Sequence, residues 1–379
     1  MPSADAGRRR AGRPAVAIAH DYLTQRGGAE RVVLDIARTF PGAPIHTTLY
    51  DPDATFPEFR DLEVIVSPLN RVGLLRRHHR LALPLLPLAA HTMRVDAEVV
   101  VVSSSGWAHG FSTGGAKIVY CHNPARWLYQ TDEYLGSGSM AQVKRAVVAA
   151  VRAPLTAWDR RAAHSADVYL SNSTVVRDRI DAAYGIKADL LHPAAGVSPQ
   201  GRQAEVPDLW EWAELGYNLV VSRLLPYKNI DQVLRAVEGT EERLVVVGRG
   251  PELPYLRRVA PPNAMLLHGL SDAQMRWLYA HATALLAPSR EDFGLTPLEA
   301  GAFGKPVIAL RAGGYLDTVV EGRTGEFFDV AVPDQIRAAI ARARTRRWDV
   351  EAIEDHVASF SRERFSQAML DLVHSVRQH

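Results

Sequence analysis

Cysteine is almost missing from this 379-residue chain, since Cys121 is the only one. One thiol cannot close an intrachain disulfide or build a cysteine-based zinc site, and it fits a reducing, cytoplasmic setting. Long apolar runs are missing too. The longest, LALPLLPLAA, is broken by Pro84 and Pro87 and falls well short of the roughly 20 residues a spanning helix needs. The apolar run Ala15 to Ala19 is too short for a signal-peptide core, so residues 1–14 read as a disordered basic tail before a first buried strand. Neither sign of charge dominates: 44 Lys and Arg stand against 42 Asp and Glu, a net +2, which does not call for nucleic acid. No G-x-G-x-x-G follows the first strand, which counts against an ordinary dinucleotide-binding start. Acidic residues vanish locally, with none between Glu63 and Asp96.

What remains is the composition of a well-cored globular protein, 47% hydrophobic and 23% charged. The length predicts two domains. Short β-branched runs (AVAIAH, EVIV, EVVVVSSS, KIVYCH, DVYLSNS) alternate with helical patterns, including one from about Gly28 to Phe40. Strands this apolar are buried on both faces, as in a parallel sheet covered by helices. The stretch 201–215 lacks a clear period and reads as a linker. The alternation then restarts with YNLVVSR, RLVVVG, AMLLHG, ATALLAPS and PVIAL. The expected fold is α/β, with two doubly wound, Rossmann-like domains facing a central cleft. They are expected over 15–200 and 216–360, with a terminal helix over 361–379 that crosses back to the first domain.

Ligands of open α/β sheets bind beyond the carboxyl ends of the strands, so the residues just after each strand are the ones to weigh. Gly27 and Gly28 precede a helix, where amides and the helix dipole can meet an anion; a tight turn for helix packing is the more ordinary role of such a pair. His109 and His122 follow neighbouring strands, with Arg126 and Trp127 close behind the second. Histidine there can bond a sugar hydroxyl or phosphate or move a proton, or it can simply bond nearby backbone. In the second half Arg223 and Lys228 lie in a strand-to-helix loop, where they can clamp a diphosphate or remain two solvated charges. Asn229 or Asp231 can cap the helix that follows. Gly248 and Gly250 mark a strand end where backbone can approach a ligand closely.

The segment SREDFGLTPLEAG carries two glutamates. Thr296, Pro297 and Glu299 read as N-cap, N1 and N3 of a helix, a T-x-x-E capping box that explains Glu299 structurally. Glu291 has no such structural explanation. Gly294 and Leu295 offer amides at the helix start.

Together these motifs resemble the retaining glycosyltransferases of family 4, which have the GT-B fold. REDFGLTPLEAGAFGKPVIALRAGG is similar to that family's E-x7-E signature, SRLLPYKNID to its Arg…Lys diphosphate element, RGGAERVV to its glycine loop and GRTGEFF to the segment after the E-x7-E helix. The match runs in order over about residues 15–345, and the N-terminal half is most similar to the bacterial O-antigen and exopolysaccharide mannosyltransferase-like branch. The resemblance implies retaining transfer of a hexosyl group from a nucleotide-diphosphate sugar to a glycan or polyprenyl-linked acceptor, without a metal or other cofactor. GDP-mannose is the first expectation for the donor and a UDP-sugar the second. It implies that His122, Glu291, Arg223 and Lys228 are catalytic. The donor side would comprise Gly27, Gly28, Gly248, Phe293, Gly294, Leu295, Thr296 and Glu299 with Arg223, Lys228 and Glu291. His268, Gly269 and Leu270 would lie by the base, and His109, Arg126 and Trp127 on the acceptor side.

The acid-free stretch mixes Arg71, Arg76, Arg77, Arg80 and Arg94 with many leucines. Such a segment suits an anionic membrane surface, a phosphorylated acceptor, or an ordinary helix with a solvated basic face. The expected location is cytoplasmic, with peripheral attachment to the inner face of the membrane. A dinucleotide-dependent oxidoreductase, a non-catalytic nucleotide-sugar-binding protein and a phosphorylase are the alternatives. The first would need the missing glycine fingerprint, and the second would tolerate loss of the glutamates, His122 and the Arg–Lys pair.

Overall fold

The computed structural model describes residues 15–78, 82, 85–130, 152–196 and 198–378, so the expected tail over 1–14 lies outside the described residues. The chain divides into two compact units. Unit 1 holds residues up to Ser171 together with 179–189 and 368–379, and unit 2 holds 172–178 and 190–367.

Unit 1 is built on β1 (Val16–His20), β2 (Ile45–Thr47), β3 (Val64–Val66), β4 (Val99–Ser104), β5 (Ala116–Cys121), β6 (Val168–Ser171) and β7 (Asp189–Leu190), in the order β3-β2-β1-β4-β5-β6-β7. The pairs from β3 to β6 are parallel. The central strands are apolar throughout because both faces are covered: every residue of β4 is buried. The helix α1 (Gly28–Thr39) follows β1 and buries Val32, Val33 and Ile36, a 3.6-period stripe. The C-terminal residues of the chain belong to this unit as well, and Arg377 pairs with Glu98 at 2.6 Å.

Unit 2 repeats the plan with β8 (Tyr217–Val221), β9 (Leu244–Val247), β10 (Ala264–Leu267), β11 (Ala282–Ala287), β12 (Val307–Leu310) and β13 (Gly325–Phe328), all parallel, in the order β10-β9-β8-β11-β12-β13. One face of the sheet packs Val220, Val246, Leu286 and Ile308 against Val233, Leu234 and Val237 of α2 (Ile230–Val237) and against Ile336 and Ile340. The other packs Leu219, Val245, Leu285 and Ala309 against Trp277 and Leu278. Within 201–215 a 3-10 turn spans Pro207–Leu209 and a helix Trp210–Leu215, and Val206 and Leu209 are buried in this second face.

Counted within its own unit, each sheet runs 3-2-1-4-5-6 across six strands. This is the doubly wound order whose topological switch point lies between the first and fourth strands, where the chain departs to opposite sides and leaves a crevice at the strand ends. In unit 1 that point lies between β1 and β4, and in unit 2 between β8 and β11.

Candidate active site

The switch point of unit 2 gathers four of the residues singled out by sequence. Arg223 and Lys228 follow β8, and Glu291 and Phe293 follow β11. Lys228 is buried, with its side chain 5% exposed, and its ammonium forms an ion pair with Glu291, whose side chain is 27% exposed. The same Glu291 Oε1 accepts the Ser289 hydroxyl at 2.7 Å. Arg223 is exposed and makes no side-chain hydrogen bond or ion pair among the described residues, so its guanidinium is unengaged in the loop that carries Lys228.

Backbone geometry explains how these groups are held. Asn229 has the left-handed conformation, φ 55°, the one such non-glycine residue among those described. Its side chain does not cap α2. Its Nδ2 donates to the Pro288 carbonyl at 2.9 Å instead, tying the Lys228 loop to the Glu291 loop. Behind Glu291, the loop after β12 packs backbone on backbone. A Cβ at Gly313 would lie 2.3 Å from the Glu291 carbonyl oxygen, and one at Gly314 2.2 Å from the Phe293 Cα. The Gly314 amide donates to the Glu291 carbonyl at 2.9 Å. Phe293 is buried, stacked on His192 with centroids 5.3 Å apart.

The capping box at Thr296 does not form. The helix α3 (Leu295–Gly301) begins two residues earlier than a Thr296 cap requires, with Gly294 at the N-cap in a positive-φ conformation (φ 95°) and no side-chain cap. A chain turning through glycine sets the helix axis before Thr296 is reached. Pro297 then falls at the third helical position, where its missing N–H costs nothing because the first four helical amides have no partner in the helix. Glu299 is thereby released from capping, and its Oε2 accepts the Tyr279 hydroxyl at 2.7 Å. Burial foremost, then Glu299, pushes the Tyr279 phenol well above its ordinary pKa, so it stays a donor.

Gly248 and Gly250 have a structural reason of their own. A Cβ at either would strike a carbonyl oxygen, 1.9 Å from Ser222 O and 2.1 Å from Leu224 O. They let the Arg223 loop lie flat on the end of β9, where the Leu224 amide bonds the Arg249 carbonyl at 2.9 Å. His268 and Gly269 are exposed and Leu270 half-buried just beyond β10.

Unit 1 has its own polar switch point, only part of which sequence reasoning found. His122 Nε2 lies 2.8 Å from the Ser103 hydroxyl, which lies 3.1 Å from His20 Nδ1. Asp21 accepts the amides of Ser105, Trp107 (2.7 Å) and Ala108 (2.8 Å), so the loop after β4 is closed over an internal carboxylate. Glu30 is 1% exposed in the first turn of α1. Its Oε2 lies where a Gly27 Cβ would stand, at 2.5 Å, and has no hydrogen-bond partner among the described residues. Burial raises the pKa of this carboxyl against the opposing pull of His20. Gly27 is the N-cap of α1 and Gly28 its first residue.

His109 is placed differently from His122. It is 1% exposed. Its Nε2 pairs with Asp159 at 2.7 Å, Tyr129 donates to the other carboxylate oxygen at 2.8 Å, and Tyr169 lies 3.2 Å from Nδ1. Both ring nitrogens are thus engaged inside the unit. Arg126 opens a helical turn, Arg126–Tyr129, and Trp127 packs edge-on against Trp107 with centroids 5.0 Å apart.

Of the basic stretch, Arg80 lies outside the described residues. Arg71, Arg77 and Arg94 are exposed near exposed Val72, Leu74, Leu85 and Leu88. No helix among the described residues is long and apolar enough to cross a membrane. No group of three or more His, Cys, Asp or Glu able to hold a metal gathers among them. The Asp51-Pro52-Asp53 pair forms a turn, Asp51 accepting the Asp53 amide at 3.2 Å while Asp53 pairs with Arg60.

Comparison with known proteins matches both halves of the chain. A family model described as Glycosyltransferase Family 4 matches residues 26–193, and one described as Glycosyl transferases group 1 matches 214–355. The GDP-mannose-dependent alpha-(1-6)-phosphatidylinositol monomannoside mannosyltransferase of Mycolicibacterium smegmatis is 34% identical over 206 residues, 48% of this chain and 54% of that protein. The chain is thus matched over about half the length of this curated relative. Glycogen synthase of Pseudomonas aeruginosa strain PAO1 is 38% identical over 133 residues, 33% of this chain and 26% of that protein. Among solved structures, Anabaena HepE in complex with UDP and glucose superposes with a TM-score of 0.67 at 16% identity, covering 96% of this chain and 100% of HepE. That likeness shows the fold. Two Rossmann-like parallel-sheet units of this order are the GT-B class of fold. The chain belongs to the family 4/group 1 superfamily of GT-B glycosyltransferases and is related to mannosyltransferases and glycogen synthases.

Proposed function

We propose that the chain transfers a hexosyl group, mannose before others, from a nucleotide-diphosphate sugar to a glycan or lipid-linked acceptor, with retention of configuration and without a metal ion. GDP-mannose is the first choice of donor, as named for the mycolicibacterial relative, and a UDP-sugar the second, as named for the HepE complex. The observation that carries the reading is the ion pair of buried Lys228 with half-buried Glu291 at the switch point of unit 2, with Arg223 exposed on the same loop as Lys228. A diphosphate there draws Lys228 and Arg223 as neutralising cations. Lys228 exchanges its carboxylate partner for phosphate, and Glu291 turns to the hydroxyls of the donor sugar. The amides of Leu295 and Thr296 face the phosphates, Phe293 and Gly294 shape the turn beside them, and Glu299 takes the ribose hydroxyls. His268, Gly269 and Leu270 lie by the base, with Gly27, Gly28 and Gly248 completing the donor side. Charge that builds on the leaving diphosphate is met by these fixed groups, so a phosphate oxygen can take the acceptor's proton on the face it leaves. In unit 1, His122 bonds the reacting sugar, with Arg126 and Trp127 on the acceptor side and His109 held inside the unit by Asp159 and Tyr169 rather than in contact with the acceptor.

The exposed leucines and arginines of 71–94 serve attachment to an anionic membrane surface, which suits a lipid-linked acceptor and peripheral, cytoplasmic location. Salt-sensitive flotation with phosphatidylglycerol vesicles is expected, and equal binding to neutral vesicles would refute the attachment.

A thermal-shift and donor-hydrolysis screen against GDP- and UDP-sugars tests the main reading. A ligand at 100 times its Kd stabilises by about 2.7 kcal/mol. NMR of the first anomer released decides between retention and inversion. If no sugar nucleotide raises the melting temperature or is turned over, the function is wrong.

A further inference from the structure

Unit 1 presents, at its own switch point, a run of buried polar side chains that its packing alone does not require. His20 ends β1, Ser103 is its register partner on β4, and His122 follows β5. All three are buried, at 1%, 0% and 8% exposed. Polar groups in such a place are retained where they act on a ligand or on a group that does.

The hydrogen bonds in this run have a direction. His20 Nδ1 is 3.0 Å from the Ser103 carbonyl oxygen, which can only accept, so Nδ1 carries a proton. That N–H also faces the Ser103 hydroxyl oxygen at 3.1 Å. The hydroxyl is buried and must itself donate. Its neighbours are His20 Nδ1, already protonated, and His122 Nε2 at 2.8 Å. The Ser103 proton therefore points at His122, whose Nε2 is the acceptor and whose ring, when neutral, holds its proton on Nδ1.

We propose that His20 and Ser103 are positioning residues for sugar transfer: they hold the ring of His122 through its Nε2, which accepts the Ser103 proton, and so fix the ring's orientation and place its proton on Nδ1. The inference rests on the function proposed above and extends it to two residues that do not themselves touch substrate. The register of the sheet pins His20 and Ser103 to each other through backbone as well as side chain, so the ring of His122 is oriented by a rigid element rather than by a loop. The surroundings are also charged. Asp21 adjoins His20 and is held by three loop amides, and the Glu30 carboxyl, buried at the start of α1, interacts with the His20 ring.

The test uses the full chain with ¹⁵N-labelled histidine. Long-range ¹⁵N–¹H spectra, with His122 assigned by its loss in His122→Ala, report which ring nitrogen bears the proton. In the wild type Nε2 of His122 is expected without a proton. Ser103→Ala should move that signal and lower kcat for GDP release from GDP-mannose about tenfold, with KM and melting temperature little changed; His20→Asn, which keeps a donor near the Nδ1 position, should retain most of the wild-type rate. A proton on Nε2 in the wild type overturns the proposal. So does a Ser103→Ala protein whose His122 signal and kcat are both unaltered while donor still binds. If the wild type neither binds nor turns over any sugar nucleotide, the functional reading falls and takes this role with it, whatever the tautomer.

Discussion

Replacing Glu291 with alanine should be costly in two separable ways. The Lys228 side chain is 5% exposed and loses its one carboxylate partner among the described residues. Removing one member of a fully buried ion pair costs about 3–5 kcal/mol, whereas a solvent-exposed pair contributes about 0–1 kcal/mol. Glu291 is 27% exposed, so water reaches the gap and the expected loss falls between these limits, about 2 kcal/mol. For a unit of this size about 1 kcal/mol moves Tm by about 2–4 °C, which puts the shift near 4–8 °C. Glu291→Gln keeps an acceptor for both Lys228 and Ser289 and should lose about half as much. Lys228→Met leaves a partly hydrated carboxylate, and the double variant Lys228→Met/Glu291→Ala should lose less than the two singles summed by about 1–2 kcal/mol. Turnover of the sugar nucleotide by Glu291→Ala should fall about 100-fold, the scale of a lost positioning contact. GDP alone should bind that variant at least as tightly as wild type, because Lys228 no longer has to leave a carboxylate. Thermal melts, urea titrations and calorimetry of GDP binding supply the numbers. Strict additivity in the cycle, or GDP binding lost along with turnover, would refute the account of the pair as an exchangeable partner for phosphate.

Arg223→Ala removes an exposed side chain, so stability should change by less than about 0.5 kcal/mol while donor affinity drops at least about tenfold; isothermal titration with GDP-mannose compares the two proteins. Glu299→Ala leaves the buried Tyr279 hydroxyl without its acceptor and should cost about 1–3 kcal/mol, whereas Tyr279→Phe/Glu299→Ala recovers much of it because no orphan donor remains. Equal melts for the single and double variants would contradict this. Lys117 is buried, its Nζ donating to the His109 carbonyl at 3.0 Å and the Ser165 hydroxyl at 2.7 Å, and burial pushes its pKa down to about 8 from 10.5. Below pH 8 both folded and unfolded chains are charged there and the fold bears the burial cost. Between about pH 8 and 10.5 the unfolded chain holds the extra proton, so this residue's contribution to stability rises with pH, by up to about 3 kcal/mol. The difference in stability between wild type and Lys117→Met, followed by urea unfolding from pH 7 to 10, should grow with pH in favour of the wild type; a constant difference would exclude the shift.

The sheets were legible in the sequence because parallel strands buried on both faces are written as unbroken apolar runs, and VVVVSS and AKIVYC need no context to be read as such. The Lys228–Glu291 meeting was legible only as two separate strand ends; that they touch depends on β8 and β11 being neighbours across the switch point. The start of α3 was misread because T-x-x-E matches a capping box locally, while the deciding fact is the positive φ of Gly294, which no residue pattern prints. His20 and Ser103 went unnoticed for a related reason. They are 83 residues apart and become partners through register, and serine at a strand end carries no signal by itself. The glycines at 313 and 314 stood in plain view, yet their purpose lies in the backbone of a different loop.

That last contact bears on how the protein can change. The turn through Glu291, Asp292 and Phe293 is moulded by main chain against main chain, glycine residues of the next loop supplying a surface with no side chains to mutate. The outline of the turn is therefore stored away from the residues that decorate it. Arg290, exposed on the same loop, can be exchanged without redrawing the curve that presents Glu291. A scaffold arranged in this way keeps the shape of the turn in one loop and the side chains it carries in another, so the second can vary while the first stays fixed.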